Sequence, residues 1–222
     1  MVKEVQISSI GPTIKWIKIL NCLASFGYLF KIKTPLHNNS KIILGIDPGT
    51  VIMGYGVIEA KDKKLTLLET DVIKLGNIKN IFERLHVIQK NISSVIQKFS
   101  PTEFAIEAPF FGKNVQSMLK LGRAQGVAIA AGFAAGLSVH EYSPKKVKQS
   151  ITGNGNADKE QVWKMLQHYL AFVDKPKYYD ATDAIAVAIC HYFESTHSVK
   201  AGAKKNSWEA FIKNSPDRVR KR

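Results

Sequence analysis

The 222-residue sequence has few cysteines and no long uncharged apolar run, and both absences narrow the class of protein. Cys22 and Cys190 lie far apart, so they suggest neither a disulfide framework nor a zinc site, and they fit a reducing cytoplasm. The longest charge-free stretch of the apolar N-terminal region, Ile19–Phe30, has twelve residues, whereas a membrane-spanning helix needs ~20. The sequence contains no Walker A motif and no internal repeat. We therefore expect a cytoplasmic chain without a membrane span.

Acidic residues are also scarce, with 18 Asp and Glu against 32 Lys and Arg, for a formal net charge of +14. Much of the excess lies at the ends, because residues 1–40 hold five Lys and one Glu and residues 200–222 hold eight basic and two acidic residues. Basic tails bind polyanions without sequence preference, but they also simply increase solubility. Within the body, residues 111–149 are a better candidate for a nucleic-acid-binding face, since against Glu141 they hold Lys113, Lys120, Arg123, Lys145, Lys146 and Lys148.

We expect one folded domain over residues 41–196, between two segments of different character. Residues 1–40 are interpreted as an extension outside the fold, and one hypothesis is a start further along the chain, at a non-AUG codon such as that of Leu36. The alternative is a short amphipathic helix that packs on the body or on a membrane surface. Residues 197–222 form a basic tail that we expect to be disordered, with Trp208–Ile212 as its apolar patch.

From Lys41 onward the pattern predicts an α/β fold, a mixed five-stranded sheet with helices on both faces. A continuous apolar run at 42–46, ended by an Asp-Pro-Gly-Thr turn, is typical of a strand buried on both faces. Strands at 55–60 and 65–73 complete a three-strand meander, and strands at 103–108 and 138–142 follow, separated by helices and expected to be parallel. Periodicity and capping signals predict helices at 78–99, 115–136, from Pro144, from about 158 to 170, and from about 179 to 194.

Four carboxylates lie where a purely surface role is awkward. Asp47 ends the first buried strand, Glu107 follows the apolar Phe-Ala-Ile of the fourth, and Asp180 and Asp183 share one face of the last helix. If the first and fourth strands are neighbours, the four side chains converge, and such a cluster is unfavourable unless metal ions neutralise it. Oxygen ligands without His or Cys suit Mg²⁺, and we expect Mn²⁺ to substitute for it.

The chemistry that this cluster suggests is phosphodiester hydrolysis. Two divalent ions ~4 Å apart can activate a water and stabilise the leaving 3′ oxygen, which leaves a 5′ phosphate and a 3′ hydroxyl. Four carboxylates balance the charge of two such ions. Simpler interpretations stay open for each acid: Asp47 as a turn residue, Glu107 as a solvated strand end, Asp180 as an N-cap and Asp183 as a first-turn acid favoured by the helix dipole.

Short motifs, ordered along residues 41–196, resemble the RuvC family of Holliday-junction resolvases. They are Ile-Leu-Gly-Ile-Asp-Pro-Gly-Thr (43–50), Gly-Tyr-Gly (54–56), Phe-Ala-Ile-Glu (104–107), Lys-Asn (113–114), Leu-Lys-Leu-Gly (119–122), Gly-Val-Ala (126–128), Val-Lys-Gln (147–149) and Asp-Ala-Thr-Asp-Ala (180–184). The resemblance implies an RNase H-like fold and a homodimer that makes paired symmetric nicks across four-way DNA junctions in recombination and repair. It also implies association with a RuvA and RuvB branch-migration complex. The four family acids fall on Asp47, Glu107, Asp180 and Asp183, which implies that these residues bind two Mg²⁺ ions and carry catalysis.

The resemblance further implies that four residues outside the acid cluster contact DNA. Phe110, shortly after the catalytic Glu, would stack on bases opened at the crossover, unless it is a core aromatic beside Phe111. Lys148 and Lys159 match family lysines near the scissile phosphate, with a solvated surface position as the alternative for each. Arg123 is a weaker phosphate candidate.

Other function classes share parts of this pattern. The Gly-Ile-Asp-Pro-Gly-Thr segment also resembles the phosphate-contacting hairpin of actin-like sugar kinases and ATPases, but those proteins need a second domain and a second Gly-rich phosphate loop, and this sequence contains neither. A RuvC-like nuclease that processes ribosomal RNA shares the fold and the acids but not the substrate. The full motif series, with Phe110 and residues 111–149, favours junction DNA. A catalytically silent DNA-binding module is disfavoured because all four acids are present.

Overall fold

The structure is a computed structural model that describes the backbone of residues 40–109, 114–170 and 178–201, and side chains as far as Thr196. The elements that it describes, in chain order, are β1 Ser40–Asp47, β2 Ile52–Lys61, β3 Lys64–Lys74, α1 Ile81–Phe99, β4 Glu103–Glu107, α2 Val115–Ala134, β5 Ser138–Tyr142, α3 Pro144–Thr152, α4 Lys159–Tyr169 and α5 Tyr179–Ala201.

The strands form one mixed sheet in the order β3-β2-β1-β4-β5. The meander β1-β2-β3 is antiparallel, whereas β4 runs parallel to both β1 and β5. The predicted five-stranded mixed sheet is therefore confirmed. Because Ile46 of β1 is in register with Ile106 of β4, the next residue on each strand, Asp47 and Glu107, ends its strand beside the other.

Helices cover both faces of the sheet, as the continuous apolar character of β1 predicted. Ile43 faces a core shared with α3, α4 and α5, whereas Leu44 and Ile46 face a second core shared with α1 and α2. Residues on the two faces of one strand thus pack in different cores, and Ile43, Leu44 and Ile46 are all fully buried. This double burial holds the end of β1 in a fixed place.

Local capping signals define where the helices begin. Asp158 and Gln161 form the predicted capping box of α4. The predicted start of α1 at residue 78 was too early, because the Asn80 side chain accepts a hydrogen bond from the Phe82 amide and caps a helix that begins at Ile81. Ile78 instead belongs to a turn in which its amide donates to the Leu75 carbonyl.

Several expectations fall on residues that the structure does not describe. These are the extension (1–39), Phe110 and Lys113 (in 110–113), the segment 171–177 and the tail from residue 202. The expected domain bounds, 41–196, thus stay a prediction. In the described ranges, none of the helices has the length and apolar character needed to cross a bilayer.

Candidate active site

The two strand-end acids are placed by the sheet itself. Asp47 is the last residue of β1 and Glu107 the last residue of β4, and the two strands are parallel neighbours. The condition on which the predicted convergence rested, adjacency of the first and fourth strands, is therefore met. Each acid directly follows a fully buried isoleucine, Ile46 or Ile106, so the backbone that carries it is firmly held.

Glycines in β1 and β2 let α5 lie directly on the sheet. A Cβ atom built on Gly54 would overlap the Asp180 carbonyl oxygen, and one built on Gly45 would overlap the Ala184 carbonyl oxygen. Gly54 is in register with Asp47 on the neighbouring strand. The first turns of α5, which carry Asp180 and Asp183, are thereby brought next to the end of β1.

A hydrogen bond from the third strand holds the same end of α5. The Thr70 hydroxyl donates to the Ala181 carbonyl oxygen at 3.3 Å and is also 3.0 Å from the Tyr55 carbonyl oxygen. Asp180 lies in the first turn of the helix, after Tyr179, so it is not the N-cap that the simpler interpretation suggested.

Burial and mutual repulsion make the carboxylates of this cluster hard to ionise. Burial, followed by the charges of Glu107, Asp183 and Asp180, raises the pKa of Asp47 to about 8. Burial and then the charge of Asp183 raise the pKa of Glu107 to about 7, although Lys159 and Lys148 oppose the shift. The adjacency of β1 and β4 and the seating of the first turn of α5 over Gly54 place these groups at one end of the sheet. The four predicted acids therefore share one neighbourhood, in which the other three raise the pKa of Asp47.

Lys159 and Lys148 lie beside the acids. Lys159 Nζ is 3.0 Å from Asp183 Oδ2 and 5.5 Å from the ring centroid of Tyr179. Burial alone would lower the pKa of Lys159, but the hydrogen bond to Asp183 and the charges of the neighbouring carboxylates outweigh burial and raise it. Its side chain is nevertheless 59% exposed, so the ammonium group remains accessible to a ligand.

A small cavity joins the acids to the lysines. Its volume is about 190 Å³, and its lining consists of Glu107, Pro144, Val147, Lys148, Lys159, Val162, Asp183 and Ala186. Carboxylates that attract cations and ammonium groups that attract phosphate thus line one space, beside the apolar side chains of α3 and α4. This combination suits a phosphate ester held against bound cations.

The donor chemistry of the cluster fits hard divalent cations, because it offers carboxylate oxygens and neither His nor Cys. In the ranges that the structure describes, no three His, Cys, Asp or Glu side chains already stand at metal-ligand spacing. The charges of Glu107, Asp183 and Asp180 nevertheless act on Asp47. Bound cations would offset this repulsion, and the oxygen donors of the four acids fit such ions.

Gln125 is a buried residue of the site that sequence reasoning missed. Its side chain amide donates to the Glu107 main-chain oxygen at 3.3 Å and to Glu141 Oε1 at 2.7 Å, and the residue is 7% exposed. It therefore holds the end of β4 from the side of α2. A signal was available: Gln125 follows Ala124 in the buried stripe of α2, where a polar side chain needs a partner.

Among the basic residues of 114–149, which the structure describes, some lie beside the cavity and others lie away from it. Lys148 lines the cavity, whereas Arg123 is exposed on α2 and is not among the lining residues. Lys146 pairs with Glu194 of α5 at 2.8 Å. The described basic residues are therefore divided between α3, beside the cavity, and the exposed side of α2.

The fold is similar to those of solved resolvases. RuvC of T. thermophilus, in complex with a Holliday junction substrate, matches with a TM-score of 0.68 and 33% identity over 71% of this chain and 96% of that chain. The yeast mitochondrial Holliday junction resolvase matches with a TM-score of 0.54 and 15% identity, over 72% of this chain and 82% of that one, a likeness of fold alone. Fold and site together define an RNase H-like nuclease of the resolvase type.

Sequence comparison gives the family. The family model described as crossover junction endodeoxyribonuclease RuvC matches residues 43–191. The RuvC of Cytophaga hutchinsonii is 53% identical over 180 residues, 81% of this chain and 88% of that protein. That of Porphyromonas gingivalis is 48% identical over 184 residues, 81% of this chain and 97% of that protein. The chain belongs to the RuvC family of crossover junction endodeoxyribonucleases, which confirms the resemblance carried by the motifs.

Proposed function

We propose that this chain resolves four-way DNA junctions by metal-dependent hydrolysis, with Asp47, Glu107, Asp180 and Asp183 as its catalytic acids. The observation that carries the proposal is the meeting of these carboxylates, from β1, β4 and α5, beside a cavity lined by two lysines. Family membership supports the substrate class, since the relatives are named crossover junction endodeoxyribonucleases. The T. thermophilus relative is bound to a Holliday junction substrate.

The metal-binding role of the acids is proposed as two Mg²⁺ ions per site, with Mn²⁺ as a substitute. Four carboxylates match the charge of two divalent cations, and oxygen-only donors suit both metals. When bound, such ions supply activation of the attacking water and stabilisation of the leaving 3′ oxygen. The chain itself presents the carboxylates from rigid backbone: Asp47 and Glu107 from adjacent strand ends, and Asp180 and Asp183 from a helix seated on glycines.

Lys148 and Lys159 are proposed to hold the scissile phosphate and to stabilise charge on it during cleavage. Both line the cavity with Glu107 and Asp183. Lys159 donates to Asp183 in this structure. A phosphate oxygen can replace that acceptor once cations neutralise the acids, because an exposed lysine exchanges partners at little free-energy cost. Arg123, exposed on α2, is proposed to contact phosphate away from the cavity, and Phe110 to stack on an opened base.

A homodimer is proposed because one face of α2 is apolar and exposed. Val115, Leu119 and Phe133 are 67%, 54% and 61% exposed, and Gly122 and Gly126 lie between them with open space where a Cβ atom would stand. Steps of four, three and four residues from 115 to 126 are the spacing of a helix–helix seam. A second copy of α2 packed here would give a twofold enzyme for a substrate that is itself nearly twofold.

Two further assignments are proposed on family membership. We propose that the dimer acts with a RuvA and RuvB branch-migration complex, which would present the junction to it. We also propose a cytoplasmic location, where the DNA substrate lies in a bacterial cell and where the buried thiol of Cys190 stays reduced. Co-purification of tagged chain with the two partners on junction DNA tests the first assignment.

The experiment that tests the proposed function compares four labelled substrates at one Mg²⁺ concentration: a four-way junction, a linear duplex, an RNA–DNA hybrid and a structured RNA. We expect paired nicks in the junction and slow or undetectable cleavage of the others. Preferential cleavage of structured RNA would instead favour a ribosomal-RNA-processing nuclease. ATP hydrolysis without nicking would favour an actin-like ATPase.

A further inference from the structure

A buried hydrogen-bonded chain links α5 to β4 and β5 at the end of the sheet away from the acids. His191 of α5 is 2% exposed. Its Nε2 lies 2.8 Å from Glu103 Oε2, and its Nδ1 lies 2.7 Å from the Tyr142 hydroxyl. Lys41 Nζ donates to the other oxygen of Glu103 at 2.7 Å. None of these residues belongs to the acid cluster or the lysine-lined cavity.

The chemistry of the partners determines the direction of each bond. The Glu103 carboxylate can only accept, so His191 Nε2 must carry the proton that it donates. In a neutral imidazole Nδ1 then accepts from the Tyr142 hydroxyl, and both ring nitrogens are satisfied. Such bonds are directional and lose strength steeply when the donor turns away. Removal of the imidazole would leave the carboxylate and the hydroxyl without this partner.

Apolar contacts alone determine the axial position of α5 poorly. The side chain of Ala105, between Glu103 and Glu107 on one face of β4, packs in the same core as Ala186 and Ala188 of the helix. Contacts between methyl groups are non-directional. The glycines of β1 and β2 set how close the helix approaches the sheet, and the Thr70 hydroxyl ties its first turns to β3. These contacts are with other strands, so they leave the helix some freedom to shift along its axis relative to β4. A directional tether between the helix and β4 removes this freedom.

The spacing of the tether matches the spacing of the acids. Along β4, Glu103 and Glu107 are four residues apart, about 13 Å at the rise of a strand. Along α5, Asp183 and His191 are eight residues apart, about 12 Å at the rise of a helix. Helix and strand run in opposite directions here, because Glu103 meets His191 while Glu107 and Asp183 line the cavity. The hydrogen bond between His191 and Glu103 at one end of the helix therefore sets the alignment of Asp183 with Glu107 at the other end.

We propose that His191 is a positioning residue that fixes the axial position of α5 on β4, through Glu103 and Tyr142, so that Asp183 faces Glu107. The inference rests on the proposed function of these acids, but it predicts a change in metal binding that is measurable without DNA. His191 touches neither the metal-binding oxygens nor the substrate. Its effect is on the geometry of the carboxylates.

The experiment compares His191→Leu, which removes both hydrogen bonds, with Ile189→Ala, a core substitution on the same helix that leaves them in place. The readouts are the unfolding free energy, the Mn²⁺ concentration at the midpoint of thermal stabilisation without DNA, the junction dissociation constant and the single-turnover nicking rate. We expect His191→Leu to raise the Mn²⁺ midpoint and to lower the nicking rate roughly tenfold or more. Junction affinity should stay within about twofold of the wild type. Ile189→Ala should lose stability and keep the wild-type midpoint.

A conservative variant separates positioning from folding. His191→Gln can still donate to Glu103, so we expect it to recover the wild-type Mn²⁺ midpoint more closely than His191→Leu. If His191→Leu does not fold, Tyr142→Phe removes one of the two bonds and should shift the midpoint in the same direction. Equal midpoints for His191→Leu and Ile189→Ala would overturn the inference. A wild-type chain that binds Mn²⁺ at the acids but does not nick junctions would contradict the proposed function instead.

Discussion

At the scale of single residues, the acid cluster lowers the stability of the metal-free fold and provides the ligands for catalytic cations. A buried carboxylate such as Asp47, surrounded by like charges, is unfavourable in the folded chain when no cation is bound. The same placement makes the cluster a strong site for divalent cations. The folded metal-free protein should therefore carry a measurable electrostatic strain at this position.

The first prediction concerns Asp47→Asn in metal-free protein. The folded-state pKa of Asp47 is raised from 3.8 to about 8, so between these pH values the folded state holds a proton that the unfolded chain releases. Stability therefore falls as pH rises through this window. Asn keeps the shape and removes the charge, so we expect the variant to be the more stable protein at pH 8, by about 1 kcal/mol or more, and to match the wild type at pH 4.

Urea unfolding in a chelator at the two pH values measures this difference. Addition of Mn²⁺ is the control, because it should stabilise the wild type more than Asp47→Asn. The difference in unfolding free energy between the two proteins should then shrink or change sign. A wild type as stable as the variant at pH 8 without metal would show that Asp47 is not strained.

Substitutions of Lys148 and Arg123 should differ in their effects on nicking and junction binding, because Lys148 lines the cavity and Arg123 does not. We expect Lys148→Ala to lower the single-turnover nicking rate roughly 10- to 100-fold with little change in junction affinity. Arg123→Ala should keep the rate at saturating enzyme, weaken junction binding and reduce the salt dependence of that binding by about one charge. Each variant controls for the other in titrations at several salt concentrations. If Lys148→Ala weakened junction binding and Arg123→Ala slowed nicking instead, the placement of these two side chains would be contradicted.

The strand-end and helix-face positions of the four acids could be predicted from sequence, whereas the partners of His191 could not. Asp47 and Glu107 follow apolar strand runs, and Asp180 and Asp183 share a helix face, so local patterns give these positions. Their convergence depends in addition on the adjacency of β1 and β4. The partners of His191 are Tyr142 and Glu103, 49 and 88 residues away. Such contacts depend on strand order and helix placement, which periodicity does not encode.

At the scale of elements, strands and helices followed the predicted order, and the differences lie at their ends. The last helix was expected to end near residue 194 but continues to Ala201. Beyond Glu194 the residues are Ser-Thr-His-Ser, which lack the apolar periodicity used to predict helices. A helix can continue without an apolar face, so the pattern gives no sign of the extension.

The close seating of α5 on the sheet leads to a prediction for Gly54→Ala. The added methyl would overlap the Asp180 carbonyl oxygen, so the start of α5 must move or the strand must bend. We expect a loss of about 2 kcal/mol or more in unfolding free energy and loss of nicking. Ser94→Ala is the control, because Ser94 is exposed on α1 and lies outside the seam, and the change to a better helix former should be neutral or slightly stabilising. A Gly54→Ala variant with wild-type nicking would show that this contact does not position the acids.

At the scale of the whole molecule, the charge and the apolar seam point to assembly on DNA. The net charge of +14 favours association with a polyanion whatever its sequence. Net charge does not distinguish a four-way junction from other DNA, however, and neither does amino-acid composition. Two active sites related by a twofold axis would provide it, so the proposed dimer would be central to substrate choice.

The seam on α2 is testable through Leu119→Glu, which would place like charges on both copies at a twofold contact. We expect this variant to sediment as a monomer at micromolar concentration and to lose paired nicking. Phe82→Glu is the control, since Phe82 is 71% exposed on α1 and lies outside the seam. A Leu119→Glu chain that remains dimeric would place the interface elsewhere.

The most direct measurement of the central claim is nicking of a four-way junction by Asp47→Asn and Glu107→Gln in Mg²⁺, with junction binding measured in parallel. Asp62→Asn serves as the control, because Asp62 lies in the turn between β2 and β3 with a φ of 50° that Asn tolerates. We expect both site variants to bind the junction as the wild type does and to lose nicking by at least about a hundredfold, while Asp62→Asn cleaves normally. Wild-type nicking by Asp47→Asn or Glu107→Gln would contradict the assignment of the four acids as the catalytic centre.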